Sequence, residues 1–88
     1  MERIEIVEGS FAPLGKTEQA EMLCELGLIY ATGRDCEVDL VAAHKWFNIA
    51  AVKGSDRAGE LRAELSAVLS KPQLARALRE AREWMTIH

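Results

Sequence analysis

Gly27 stands inside a stretch whose apolar residues recur at helical spacing: Ala20, Leu23, Gly27, Tyr30 and Ala31. A glycine within a helix costs about 1 kcal/mol relative to alanine. A chain that keeps one there needs a compensating contact, and the usual one is the close approach of another helix. That facing helix should put a large side chain into the gap. Leu40, Ala43, Phe47, Ala50 and Ala51 form the next helical stripe, with Trp46 beside it. Phe47 and Tyr30 are the expected fillers, and Ala43 and Ala50 keep the crossing tight. The two segments therefore read as one antiparallel helical hairpin, not as two independent helices. Met22, Leu26 and Ile29 add a second apolar stripe, so the first helix should be covered on two sides.

Local signals bound four helices of similar length. The first is predicted over about Glu18 to Thr32, with Thr17 as N-cap and Gly33 as the left-handed residue past its end. The second runs about Leu40 to Lys53 with Asp39 as N-cap, and Gly54 ends it. The third runs about Asp56 to Leu69 behind Ser55, with Ala58, Leu61, Leu65, Val68 and Leu69 on one face. Ser70-Lys71-Pro72-Gln73 has a capping serine, a proline in the first turn and a glutamine three residues on, which is a capping box. The fourth helix follows over about Lys71 to Met85, with Leu74, Ala77, Leu78, Ala81, Trp84 and Met85 inward. Short connections pair first with second and third with fourth.

Residues 1–15 differ. Gly9, Ser10, Pro13 and Gly15 break regular structure, yet Ile4, Ile6, Val7, Phe11 and Leu14 are large and apolar. Such an arm is expected to pack, on its own helices or on a neighbouring chain. The full chain has 88 residues, one small domain with a thin stability margin. Its net charge is −3, which offers nothing to nucleic acid or an anionic membrane. Residues 1–70 hold 7 basic and 12 acidic side chains (net −5), and residues 71–88 hold 4 and 2 (net +2). Arg76, Arg79 and Arg82 interleave with Glu80 and Glu83, so this basic end reads as a solvated helix face. MERIEIVE lacks the apolar core of a secretory leader, and no apolar run nears the ~18 residues that span a bilayer. Cys24 and Cys36 are too few for a disulfide framework. A cytoplasmic protein with free thiols is expected.

Leu23, Leu26, Gly27 and Tyr30, with Ala43, Phe47 and Ala50, sit at the offsets of tetratricopeptide-type hairpins. About four extra residues separate Tyr30 from Ala43. With that longer loop, the chain closely resembles the bacterial Sel-one-like repeat family. The matching residues are Ala20, Leu23, Leu26, Gly27, Tyr30, Gly33, Asp39, Ala43, Trp46, Phe47, Ala50, Ala51 and Gly54. Gly54, Ala58, Arg62, the SKPQ turn and Ala77, Ala81, Arg82, Glu83 and Trp84 resemble the closing segment of its short members. The second glycine that the family often carries after Gly33 is missing, with Asp35 and Cys36 near that point. The resemblance implies an all-α fold: two antiparallel helical hairpins in a short right-handed α-solenoid, with an extended N-terminal arm. The expected division is an arm over 1–15 and a repeat domain over 16–88, with a hairpin over 17–53 and a closing hairpin over 55–86. Repeat proteins usually need about three repeats to bury a continuous core. Two hairpins leave apolar surface for the arm, a second copy or a partner to cover.

The sequence carries no enzyme motif: no P-loop, dinucleotide fingerprint or nucleophile elbow. His44 reads as a half-exposed helical residue. Cys24, Cys36 and His44 lack zinc-site spacing. No catalytic residue, cofactor or metal is expected. By analogy with tetratricopeptide hairpins, the first and third helices line the concave face. Glu21, Cys24, Leu28 and Thr32 would then face a groove, joined by Arg62 and Ser66. The expected function is a non-enzymatic protein-interaction module, an adaptor or scaffold that docks another protein's peptide or helix there. The alternatives are a self-associating structural oligomer, with a homodimer as its simplest form, and a small thiol-based redox or assembly factor.

Overall fold

The computed structural model describes residues 18–88. The protein is all-α. The described residues form helix α1 over 18–32, α2 over Leu40–Val52, α3 over Asp56–Val68 and α4 over Lys71–Ile87, and among them there is no strand. The N-terminal arm and the Thr17 cap fall outside the described residues.

The helix ends obey the local signals closely. The Asp39 side chain accepts from the Ala42 amide at 3.0 Å, and Ser55 accepts from the Ala58 amide at 3.1 Å. At α4 the capping box is complete. Ser70 Oγ accepts from the Gln73 amide at 3.2 Å, and Gln73 Oε1 accepts from the Ser70 amide at 2.9 Å. Gly33 leaves α1 with φ 74°, and its amide and that of Arg34 both donate to the Ile29 carbonyl. Asp35 takes a left-handed φ of 63° without a glycine's freedom, which aspartate tolerates better than most residues. The loop then closes where the Asp39 amide donates to the Tyr30 carbonyl at 3.0 Å.

Packing of α1 on α2 follows the gap-and-ring expectation. A Cβ on Gly27 would lie 2.5 Å from Phe47 Cδ1 and 3.2 Å from the Ala43 carbonyl oxygen. Phe47 is therefore seated in the space that a side chain at 27 would take. Around it Cys24, Ala43, Ala50 and Ala58 form the buried core, with Leu23, Leu28, Tyr30, Ala31, Ala51, Leu61 and Leu65 packed on it.

The second joint, α3 on α2, adds polar contacts to the apolar ones of Ala58, Leu61 and Leu65. Asn48 Oδ1 accepts from Arg62 at 2.6 Å, and His44 Nε2 meets Ser66 Oγ at 2.9 Å. These two pairs run in opposite chain directions, so α3 lies antiparallel to α2. The third joint departs from simple pairing of neighbours. The fourth helix, expected on the third, packs chiefly on α2. Trp84 meets Trp46 edge-on, with ring centroids 5.5 Å apart at 79°. The reason lies in the surfaces on offer. Ala58 is the buried side chain of α3, while Glu60, Ala63, Glu64 and Ala67 face solvent. In contrast, α2 also buries Val41 and Ile49, which lie off the Ala43–Phe47–Ala50 stripe. On α4, which packs on α2, the buried residues are Ala77 and Ala81. A single stripe was expected on α2; the structure surrounds it with three helices.

Candidate functional site

Leu26 and Leu28 flank Gly27 in sequence, so they point about 100° to either side of the line that faces α2. These two flanks of α1 have different fates.

On the Leu28 flank stands α3. Arg57 Nη2 reaches Glu21 Oε1 at 3.5 Å and Glu25 Oε2 at 3.4 Å, while Arg34 takes Glu25 Oε1 at 3.3 Å. Leu28 is half-buried and packs on the core. Thr32 is exposed, and its hydroxyl donates to the Leu28 carbonyl at 2.7 Å. Cys24 was expected to face a groove; it is 0% exposed and belongs to the core instead. It lies three residues before Gly27, turned inward between α2 and α3. Arg62 and Ser66, half-buried, serve the α2–α3 joint through Asn48 and His44. The structure thus joins Glu21, Leu28 and Thr32 on one flank and places Arg62 and Ser66 in a different contact. Arg57, whose charge ties α3 to α1, was not singled out. The nearby Cys24 side chain first, then Glu25 and Glu21, hold its pKa above the ordinary value.

His44 was expected to be half-exposed and is 1% exposed. It lies beneath α3. Ser66 Oγ lies 3.0 Å from the Arg62 carbonyl oxygen and 2.9 Å from His44 Nε2; donation to the carbonyl puts the ring proton on Nε2, and donation to the ring puts it on Nδ1. Nδ1 is buried and has no hydrogen-bond partner among the described residues. Burial first, and the Arg62 charge second, push the His44 pKa below its usual value. The neutral ring is a structural polar contact, set by an α2–α3 register that spacing alone does not reveal.

Among the described residues the Leu26 flank is open. Met22, Leu23, Leu26 and Ile29 line a shallow groove of about 400 Å³, with Glu25 at its rim. Met22 is 71% exposed. This is the second apolar stripe of the first helix, expected to be covered; no described helix lies over it. A smaller aromatic cluster sits where α2 meets α4. Lys45 Nζ lies 4.6 Å from the Trp46 ring, and His88 stacks on Trp84 at 4.1 Å.

Of the thiols, Cys24 is buried and Cys36 is exposed, its Sγ 3.7 Å from the Ile29 carbonyl oxygen. Among the described residues no three His, Cys, Asp or Glu side chains gather to hold a metal. None of the described helices is long and apolar enough to cross a membrane. No protein-family model, curated protein or solved structure matches the chain.

Proposed function

We propose that this chain is a non-enzymatic protein-interaction module that docks an amphipathic helix or peptide on the outer flank of α1. The observation that carries the reading is the open apolar groove of Met22, Leu23, Leu26 and Ile29 at the end of a helical stack. In stacked helical hairpins each unit buries the apolar face of the next, and an end face left uncovered takes an added element. An amphipathic helix with apolar residues at i, i+4 and i+7 matches the spacing of Met22, Leu26 and Ile29. The sequence resemblance to Sel-one-like repeats supports an adaptor role and a bacterial source. An exposed Cys36 thiol suits a reducing cytoplasm. The face between α1 and α3 is less suited to a partner, because Leu28, Glu21, Arg62 and Ser66 already engage neighbours within the chain.

The test compares Leu26→Glu with wild type. Proteins retained by each from native extract are identified, and the best candidate is purified and titrated against both. A partner bound by wild type and weakened at least tenfold by Leu26→Glu supports the reading. A partner bound equally by both, or none that depends on this flank, overturns it.

A further inference from the structure

We propose that the chain's own residues 4–14 occupy the outer flank of α1 in cis, as a built-in competitor for the docking groove. The inference rests on the reading of that flank as a docking surface and adds its regulation. Three observations favour this occupant.

The first is position and reach. The segment precedes α1 in the chain, and Pro13 and Gly15, both turn-forming residue types, stand between it and the helix. Met22 to Ile29 spans about 10 Å of helix at 1.5 Å per residue. Phe11 to Ile4 can extend about 23 Å at 3.3 Å per residue. The segment therefore covers the groove with length to spare.

The second is chemistry. Ile4, Ile6, Val7, Phe11 and Leu14 are large apolar residues within eleven positions, matched to an apolar groove. In an extended strand Ile4 and Ile6 share one side, with Glu5 turned to the other. Because the segment is tethered, its effective concentration at the groove is in the millimolar range, and a weak contact suffices.

The third weighs against a second copy. A stable dimer buries about 800 Å² on each partner, whereas this groove is lined by five residues of one helix. Two such faces would also bring Glu25 against its own copy, with Glu18 and Glu21 on the same helix.

The experiment is isotope-filtered NOE spectroscopy on an equimolar mixture of labelled and unlabelled protein. Contacts from the Phe11 ring to the Met22 and Leu26 methyls, and from the Ile6 or Val7 methyls to Ile29, should appear within labelled chains. They should vanish in both Leu26→Glu and Phe11→Asp, while Phe47 ring contacts to α1 persist and show that the hairpin is intact. Phe11→Asp should also raise the affinity for a purified partner that depends on Leu26. Contacts seen only between chains would assign the groove to a second copy and overturn the proposal, and their absence in wild type would do the same. Absent contacts alongside a Leu26-dependent partner would leave the docking reading standing while this inference fails. Contacts within the chain without such a partner would keep cis occupancy and remove the docking reading.

Discussion

The joint between α1 and α2 and the joint between α2 and α4 meet the same need by opposite means. At the first, Gly27 omits a side chain and the Phe47 ring fills the space, 1% exposed. At the second, Ala77 and Ala81 are fully buried, and the large rings, Trp46 and Trp84, meet edge-on at the half-exposed margin. A ring locked into a gap has no room to relax. A ring at a margin can shift and stay partly wet. The same residue type, a large aromatic, should therefore matter very differently at the two joints.

Phe47→Ala is the largest expected effect. It removes the ring and leaves a cavity that Gly27 cannot fill, at a cost of about 3–5 kcal/mol. Trp84→Ala should cost about 1–2 kcal/mol, because the ring is half-exposed and its loss opens no closed void. Urea melts of both variants measure the difference, and a reversed order would break the comparison. Gly27→Ala is next. Elsewhere in a helix this change stabilises by about 1 kcal/mol. Here the new methyl meets Phe47 and the Ala43 carbonyl, and overpacking of this kind costs about 1–3 kcal/mol. A lower melting temperature is expected, and a higher one would mean the ring moves aside freely.

The α2–α3 joint adds a pH signature between these packing extremes. His44 is held neutral by burial and by Arg62, so its folded pKa lies below its ordinary value of 6.5. The unfolded chain then binds the proton more readily. Its contribution to stability is present above about pH 6.5 and is lost as pH falls toward the lowered folded pKa. Melts at stepped pH should show this decline in wild type and a shallower one in His44→Gln. Ser70→Ala, which removes half of the capping box of α4, should cost about 1 kcal/mol. Arg76→Ala, which breaks an exposed pair with Glu80 at 3.0 Å, should cost no more than about 0.5 kcal/mol.

Much of this architecture was legible from residue order. Caps and breakers act within three or four positions of themselves, which is why Asp39, Ser55 and Ser70 mark helix starts and Gly33 marks an end. Gly27 and Phe47 were readable as partners because an interior glycine demands a close neighbour and Phe47 stands on the stripe that faces it. The candidate site was less legible. Met22, Leu26 and Ile29 stood out as a second stripe, yet periodicity reports the angle of a stripe and not whether anything covers it. Leu28, expected to face a groove with Glu21, Cys24 and Thr32, packs on the core instead.

The sequence by itself determined four helices, their ends and the seam of the first hairpin, because those follow from short-range spacing and backbone chemistry. The tertiary structure alone decided that α4 leaves α3 for α2, that Cys24 and His44 are buried, and that the outer flank of α1 stays open among the described helices. These outcomes depend on register and on which neighbour arrives at each face. Both are set by competition among faces far apart in the chain, where α2 buries Val41 and Ile49 beyond its main stripe and α3 turns Glu60, Ala63, Glu64 and Ala67 to solvent.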